Sequence, residues 1–249
     1  MPASTGSPSP VRPRPVRGLP RSSSHTLLAS LTQIGLLQCR ARGRYRIGWR
    51  VVELGEALRG TIDVRSCAAP ILDRLVERYG ETAHLAVMDR WRVLYVDKVV
   101  GTHNLSVHGA RVGTRPDAHC TAVGKVLLAR CGEIELRRYL AGRGLKRYTG
   151  ATITSPAELL AALERVRSAG FALDLGEAVS DVRCVAAPVR DDLGTVVAAL
   201  SMSVPVSRFG PAQSEYAGVV VAAAHEVSRA IAESAGPVDG ATVAWRRAS

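Results

Sequence analysis

Residues 170–204 read GFALDLGEAVSDVRCVAAPVRDDLGTVVAALSMSV, and this stretch decides the fold class. Its β-branched and small residues predict two strands, 183–189 and 195–204, joined by the turn 191–194. The loop before the first strand is acidic and contains Asp174, Glu177 and Asp181. The stretch therefore predicts an acidic loop that leads into an antiparallel β-hairpin.

The pairing expected for this hairpin collects small residues on one face. If Arg190 pairs with Thr195 across a four-residue turn, Cys184 lies opposite Ser201. Because side chains alternate between the faces of a strand, the shared face then carries Val182, Cys184, Ala186, Ala199, Ser201 and Ser203. Such short side chains cannot fill a core alone, so either a bulky neighbour or a small polar ligand occupies the space above them. Taken alone, the stretch favours a neighbour.

Composition places the chain among globular proteins. It has 249 residues, of which 47% are hydrophobic and 22% charged. No apolar run approaches the ~18 residues that a membrane-spanning helix needs, and the basic, proline-rich N-terminus lacks the apolar segment of a secretory signal. Five cysteines, none in a CxxC pair, favour a reducing cytoplasm.

The positive charge is concentrated at the N-terminus. Residues 1–60 contain ten arginines against two glutamates, a net charge of +8 out of the +11 of the whole chain. This asymmetry indicates a segment that faces nucleic acid, joined to a nearly neutral domain. An arginine-rich genome would give a similar bias, so charge alone does not decide between the two.

The segment 19–50 predicts a helix followed by a basic hairpin. Residues 20–33 fit a helix with leucines on one face and small polar or basic residues elsewhere, and Gly35 ends it. Two short strands, 36–39 and 45–47, flank an arginine-rich tip. This order is typical of the second half of a winged helix-turn-helix, in which the helix reads base edges and the tip contacts phosphates. The alternative is an ordinary helix and hairpin with solvated arginines.

Helices and strands alternate beyond residue 50. Helices are predicted at 51–59, from about 69 to 79, and at 122–130, 156–169 and 213–234. Strands are predicted at 82–89, 92–100 and 104–108, with a short extended piece at 149–153. Thr121 and Ser155 are expected helix caps, and Gly170 ends the helix that Ser155 opens. The pattern predicts a mixed α/β fold with a mainly antiparallel sheet.

Three passages together resemble the IclR family of bacterial transcriptional regulators. The passage GLPRSSSHTLLASLTQIGLL…RGRYRIGWRVVELG is similar to that family's recognition helix, wing and linker. The passages AHCTAVGKVLLA and 170–204 resemble signature segments of its effector-binding domain. The resemblance runs from about Leu19 to Ser234.

This resemblance implies a domain order and a set of partners. It implies a partial winged helix-turn-helix (19–50), a linker helix (51–66) and a GAF/PAS-like effector domain with a curved sheet (67–234). Composition predicts a disordered basic tail before them (1–18) and a flexible tail after them (235–249). The partners would be promoter double-stranded DNA, a small-molecule effector and further copies of the chain, as a homodimer or dimer of dimers. The residues expected to contact DNA are Arg21, Ser22, Ser23, His25, Thr26, Arg42, Arg44 and Arg46.

The resemblance also implies an effector pocket for an organic or aromatic acid. Its lining would be Leu105, His108, Pro116, Ala122, Val123, Asp174, Val182, Cys184, Ser201 and Ser203. The unpaired N–H groups of a helix that begins after Thr121 can hold a carboxylate, and the two serines add hydroxyl donors.

The family's DNA-binding domain has two helices before the recognition helix, and residues 1–18 do not match them. We therefore expect either a start further upstream or an incomplete DNA-binding domain. The alternative function is a stand-alone small-molecule binding module that has lost DNA binding.

Enzymatic and metal sites are not predicted. The segment 123–126 lacks the glycine and the hydroxyl residue of a phosphate-binding loop. The spacings of His103, His108, His119 and Cys120 fit no zinc pattern, and an acidic neighbourhood would raise the thiol pKa of Cys184. We expect no cofactor and no catalytic residue.

Overall fold

The computed structural model describes residues 21–40, 44–54, 64–103, 110–142 and 144–234. The chain divides into two compact units, Met1–Ile62 and Asp63–Ser249, which are described separately. Within the described ranges, no helix has the length and apolarity needed to cross a membrane.

The first unit contains the predicted helix and hairpin. Helix α1 spans Arg21–Gln33, and strands β1 (Leu37–Arg40) and β2 (Arg44–Ile47) pair antiparallel. Gly35 takes a left-handed conformation (φ 77°) between helix and hairpin, as a helix-ending glycine does. Residues 50–54 are helical; the rest of the predicted helix 51–59 and the hairpin tip 41–43 lie outside the described residues.

Most described side chains of the first unit are exposed or only partly buried. Gly48 alone is buried among the residues of this unit whose burial is described. Leu27 and Trp49 are 51% and 71% exposed, and Ile34 and Ile47 are also exposed. The elements of this unit therefore form without a hydrophobic core of their own in the described part.

The second unit is built on a five-stranded sheet. Its strands are β3 (Thr82–Asp89), β4 (Arg92–Val99), β5 (Ala172–Asp174), β6 (Val182–Arg190) and β7 (Val196–Pro205). Their order is β4-β3-β7-β6-β5, and every neighbouring pair is antiparallel. The predicted mixed α/β fold with an antiparallel sheet is confirmed.

One strand was missed by the sequence analysis, and one predicted extended segment is wrong. Strand β5 was not predicted, because its three residues are too few to show a period; it forms by pairing with β6. The extended piece predicted at 149–153 is a turn, held by hydrogen bonds from the backbone of Tyr148 and Thr149 to the hydroxyl of Thr152. The strand predicted at 104–108 lies outside the described residues.

Helices cover both faces of this sheet. They are α2 (Val64–Tyr79), α3 (Ala122–Ala129), α4 (Glu133–Gly142), α5 (Pro156–Ala169) and α6 (Val206–Ser234), with a short 3-10 helix at Ala118–Cys120. Thr121 and Ser155 cap α3 and α5 as predicted, and Gly170 ends α5 at φ 76°.

Three helix predictions need correction. Helix α2 begins before residue 69 and continues through Pro70, because buried Ala68 and its neighbours pack against the sheet and offset the lost hydrogen bond. Helix α4, which was not predicted, buries Leu136 and Tyr139. Helix α6 starts at Val206 and kinks at Ala212, so it is longer than the predicted 213–234.

The hairpin register differs from the predicted one by two residues. Cys184 lies opposite Ser203, Val182 opposite Pro205 and Ala186 opposite Ser201. Asp191 closes the turn, since its N–H donates to the Thr195 carbonyl (2.9 Å), and Val197 has no partner across the strand pair. Thr195 in the turn and Val197 in the bulge account for the shift. A two-residue shift preserves the face of every side chain, so the predicted grouping of small residues survives.

Each face of the sheet has its own core. One core lies under α2 and α6 and contains Leu200 and Met202, as the alternation predicts. The other lies under α3, α4 and α5 and contains Ala186 and Ala199 from the small-residue face. The helix-covered small-residue face is where the candidate site lies.

Candidate functional site

A cavity of about 40 Å³ lies between the small-residue face and the N-terminus of α3, and we call it the sheet cavity. Its lining comes from four strands, the α3 N-terminus and two loops. The lining residues are Tyr95, Ala110, Thr121, Ala122, Val123, Asp174, Ala178, Val179, Val182, Cys184, Ser201 and Ser203. Helix α3 therefore packs over the small residues of the hairpin, and a small cavity with polar lining remains between them.

Most of the residues predicted for the pocket lie together at this cavity. Ala122, Val123, Asp174, Val182, Cys184, Ser201 and Ser203 line it. Pro116 is half-buried but does not line it, and Leu105 and His108 lie outside the described residues. Tyr95, Ala110 and the Ala178–Val179 loop segment were missed, because no local sequence pattern shows that β4 and these loops approach the hairpin.

The sheet presents two polar rows toward this side. In one row, Thr82, Ser203, Cys184 and Asp174 lie opposite one another on β3, β7, β6 and β5. In the adjacent row, Lys98, His84, Ser201 and Ala186 follow one another from β4 to β6. Directly opposed residues share a face of a sheet, so one face carries hydroxyl, thiol, carboxyl, imidazole and ammonium groups.

The N-terminus of α3 supplies backbone donors to the same space. Thr121 caps the helix by accepting from the Gly124 N–H (3.2 Å). A Cβ at Gly124 would lie 2.2 Å from the Ala118 carbonyl oxygen, so only glycine lets the 3-10 helix approach this closely. The first N–H groups of a helix have no intrahelical acceptor, and they favour an anion.

Asp174 is a buried carboxyl at the cavity. Its Oδ1 accepts from the N–H groups of Gly176 (3.0 Å) and Glu177 (2.6 Å). Burial raises the pKa of Asp174 to about 6, and the nearby Glu177 carboxylate acts in the same direction, although the Glu177 N–H and the Lys125 ammonium oppose both. Asp174 can therefore change charge close to neutral pH.

A buried ion pair stands behind this carboxyl. The Lys125 ammonium donates to Glu177 Oε1, and both side chains are almost fully buried. Glu177 Oε2 has no partner among the described residues. Lys125 is thus held inside the domain, which explains why the Gly124-Lys125 pair does not serve as a phosphate-binding loop.

Two threonines fix the acidic loop from outside. The Thr152 hydroxyl donates to the Glu177 carbonyl (2.6 Å), and the Thr149 hydroxyl donates to the Gly176 carbonyl (2.7 Å). Residues some 25 positions away therefore position Glu177, and no sequence signal marked them.

The cysteine and histidine chemistry agrees with a binding site rather than a catalytic one. Burial, together with a smaller effect of the Asp174 carboxylate, raises the pKa of the Cys184 thiol to about 12, so Cys184 is not a thiolate nucleophile. Its Sγ lies 3.2 Å from the Ser203 Oγ. No cluster of metal-ligating side chains occurs in the described part of the chain, and His119 Nε2 hydrogen-bonds the Lys146 carbonyl (2.9 Å).

A larger cleft of about 380 Å³ lies elsewhere, between α3, α5 and the β6–β7 turn. Two of its arginines are already engaged: Arg167 Nε donates to the Ala129 carbonyl and Arg190 Nη1 to the Gly194 carbonyl. The sheet cavity is the better candidate because polar groups from several elements converge on it.

The residues predicted to contact DNA lie on the first unit. Arg21 and Ser22 belong to the first turn of α1, and Ser23, His25 and Thr26 are exposed on it. Arg44 and Arg46 are exposed on β2, where Arg46 Nε donates to Gln38 Oε1 (2.7 Å). Arg42 lies outside the described residues.

Two arginines oppose each other at the base of the hairpin tip. Arg40 and Arg44 form the last cross-strand pair of β1 and β2. Directly opposed like charges destabilise a strand pair, and a phosphate between them would relieve the repulsion.

Comparison with known proteins identifies the family. Residues 57–229, more than half of the chain, match the family described as bacterial transcriptional regulator IclR C-terminal. The HTH-type transcriptional regulator XynR of Escherichia coli is 40% identical over 197 residues, which cover 79% of this chain and 78% of that protein. The chain belongs to the IclR family of bacterial transcriptional regulators, which is a family of regulators and not of enzymes.

Solved structures agree with this assignment. The Thermotoga maritima IclR structure has a TM-score of 0.69 and 33% identity, and the match covers 84% of this chain and 85% of that one. An IclR homolog from Microbacterium hydrocarbonoxydans, complexed with 4-hydroxybenzoate, has a TM-score of 0.76 and 29% identity over 86% of each chain. Regulators of this family bind DNA and small-molecule effectors.

Proposed function

We propose that this transcriptional regulator responds to a small organic acid, of the aromatic or hydroxylated kind, that binds in the sheet cavity. The observation that carries the proposal is the convergence of the Ser201 and Ser203 hydroxyls with the N-terminus of α3. A relative complexed with 4-hydroxybenzoate supports the class of ligand. Leu105 and His108 complete the proposed lining on the loop side.

Each group has a distinct role in this proposal. The N–H groups of Ala122 and Val123 and the two serine hydroxyls hold the carboxylate. Asp174 accepts from a ligand hydroxyl, while Val182 and Cys184 contact its apolar part. Known ligand pockets are several hundred Å³ in size, so side chains such as Tyr95 and Val182 move apart when the ligand enters.

Effector binding would act through the pairing of subunits. We propose a homodimer or a dimer of dimers in the cytoplasm, where promoter DNA is found. The exposed polar face of α1 enters the major groove and the arginine-tipped hairpin contacts phosphates. An effector that binds more tightly to one arrangement of the subunits increases the population of that arrangement. The spacing between the recognition helices changes as a result.

Isothermal titration calorimetry tests the effector proposal. The panel consists of small aromatic and aliphatic carboxylates, including 4-hydroxybenzoate and benzoate. We expect at least one to bind, and Ser203→Ala to weaken that binding about tenfold through the lost hydroxyl. Ser207→Ala, at an exposed position of α6, is the matched control and leaves the affinity unchanged. Absence of heat across the panel, or no effect of Ser203→Ala, contradicts the proposal.

DNA binding is tested separately, because the alternative is a binding module that has lost it. The lack of buried side chains in the described part of the first unit, Gly48 apart, is the observation that favours this alternative. With the DNA upstream of the chain's own gene, we expect a gel shift, and Arg44→Ala should weaken it and reduce the salt dependence by about one counterion. No shift at low salt supports the alternative.

A further inference from the structure

The ring nitrogen Nε2 of His84 is a buried polar atom with no hydrogen-bond partner within the described ranges. His84 lies in the middle of β3 and is only 1% exposed. Buried polar side-chain atoms are nearly always paired, because an unmade hydrogen bond in the interior is costly. An orphan nitrogen at such a position calls for a hydrogen-bond partner that the described residues do not supply.

The sheet register places His84 on the same face as the sheet cavity, next to residues that line it. His84 lies opposite Ser201 on β7, and its ring is 5.1 Å from the Tyr95 ring, centroid to centroid. Ser201 and Tyr95 both line the cavity. The imidazole therefore lies on the cavity face of the sheet, next to two residues of the cavity wall.

The charge state of His84 defines the partner it can take. Burial, together with a smaller effect of the Lys98 ammonium on the adjacent strand, lowers the pKa of His84 to about 3, so the imidazole is neutral. Lys98 Nζ donates to the carbonyl of Ala110, another lining residue (2.8 Å). A neutral imidazole can donate a hydrogen bond from its Nε2–H to an oxygen atom. The nearby Lys98 ammonium attracts the same oxygen, so the expected partner is an oxygen that carries partial or full negative charge.

We propose that His84 is a specificity-determining residue of the effector site, whose Nε2 hydrogen-bonds a second oxygen function of the ligand. The carboxylate lies at the α3 N-terminus, and a hydroxyl or oxo group reaches the Tyr95–Ser201 wall. Where the ligand has a single hydroxyl, as 4-hydroxybenzoate has, that hydroxyl pairs with His84 and not with Asp174, because β7 and β6 lie between the strands of these two residues. The effector class is thus narrowed to acids that carry such an oxygen. This inference rests on the proposed function, since it requires a ligand in the sheet cavity. A shift of the Tyr95 ring, which the small cavity volume requires for any aromatic ligand, exposes Nε2 to that ligand.

The experiment compares two histidines and two ligands that differ by one oxygen. His84→Leu removes the orphan nitrogen, and His84→Gln restores an N–H at a similar distance along the side chain. His119→Leu is the matched control, because His119 is equally buried but its Nε2 is bonded to the Lys146 carbonyl. Affinities for 4-hydroxybenzoate and benzoate are measured by calorimetry, and midpoints of urea unfolding are measured without ligand.

The expected result separates binding from stability. We expect the unsubstituted protein to bind 4-hydroxybenzoate about tenfold more tightly than benzoate. The His84→Leu variant should bind the two acids equally well, and the His84→Gln variant should regain part of the preference. His84→Leu leaves the unfolding midpoint near its original value, whereas His119→Leu lowers the midpoint and keeps the preference. If His84→Leu retains the preference for 4-hydroxybenzoate, His84 does not contact the ligand and the inference is overturned.

Two further outcomes keep the result unambiguous. Binding of neither acid by the unsubstituted protein rejects the proposed function for aromatic acids, and this inference with it. Should His84→Leu fail to fold, ¹⁵N NMR of the histidine side chains in the unsubstituted protein decides. Addition of 4-hydroxybenzoate should shift the Nε2 resonance of His84 and leave that of His119 in place; an unmoved His84 resonance contradicts the inference.

Discussion

Asp174 is a buried carboxyl that has a structural hydrogen-bonding role. Its Oδ1 holds the acidic loop through Gly176 and Glu177, while its own ionisation is opposed by burial. Because the pKa is raised from 3.8 to about 6, the folded state binds the Asp174 proton more tightly than the unfolded chain does. Ionised Asp174 therefore costs stability at pH values above 6, and that cost disappears as the pH falls from 6 toward 4.

We predict that Asp174→Asn changes the pH dependence of stability. Asparagine keeps the acceptor oxygen but carries no charge, so the variant should gain about 2 kcal/mol in unfolding free energy relative to the unsubstituted protein at pH 8, and almost none at pH 4. Urea unfolding at both pH values measures the difference. Asp192→Asn, in the exposed β6–β7 turn, is the control and should show equal differences at the two values. A gain from Asp174→Asn that is the same at pH 4 and pH 8 would show that folding does not raise the pKa of Asp174.

Helix α3 is placed by the close approach of the 3-10 helix before it. The Ala118 carbonyl oxygen and Cα would lie 2.2 and 2.4 Å from a Cβ at position 124, and both are backbone atoms that cannot rotate away. Any side chain at Gly124 must separate the two elements, and with them the Thr121 cap and the walls of the sheet cavity.

Gly124→Ala should therefore destabilise the second unit by about 3 kcal/mol, at the upper end of overpacking effects. Thermal or urea unfolding measures the loss. Gly142→Ala at the end of α4 is the matched control, because a Cβ there meets no atom within 4 Å and helix propensity favours alanine. Equal stability of the two variants would mean that the 3-10 helix moves without cost.

The two units of the molecule differ in how much apolar surface their described residues bury. The second unit buries two clusters of apolar side chains, one on each face of its sheet. In the described part of the first unit, α1 and the β1–β2 hairpin leave residues such as Leu27 and Ile47 exposed. Local opening is inexpensive where little apolar surface is buried, so the two units should differ in backbone protection.

Hydrogen exchange followed by mass spectrometry tests this difference. Amides of α1 should exchange at least about 100-fold faster than those of β6 and β7. Upstream DNA should slow exchange in α1 and leave β6 and β7 unchanged, since DNA contacts are proposed only for the first unit. Equal protection of α1 and β7 in the absence of DNA contradicts the expected difference in stability.

The sequence by itself determined the features that depend on neighbours along the chain. Alternation along β6 and β7 was sufficient to group Val182, Cys184, Ser201 and Ser203 on one face, and the caps at Thr121 and Ser155 follow from local hydrogen bonding. The resemblance carried by 170–204 identified the family. These signals survive because each is set within one element or one turn, and a two-residue error in register does not change a face.

Tertiary structure alone decided which distant residues meet at the cavity. The turn and bulge set the register that puts Ser203 beside Cys184, and pairing with β6 makes β5 a strand and brings Asp174 into the polar row. The orphan nitrogen of His84, the buried Lys125–Glu177 pair and the Thr152 support of the acidic loop all join segments far apart in sequence. Such contacts depend on how strands and helices pack, and the local pattern of one segment contains no information about its partner.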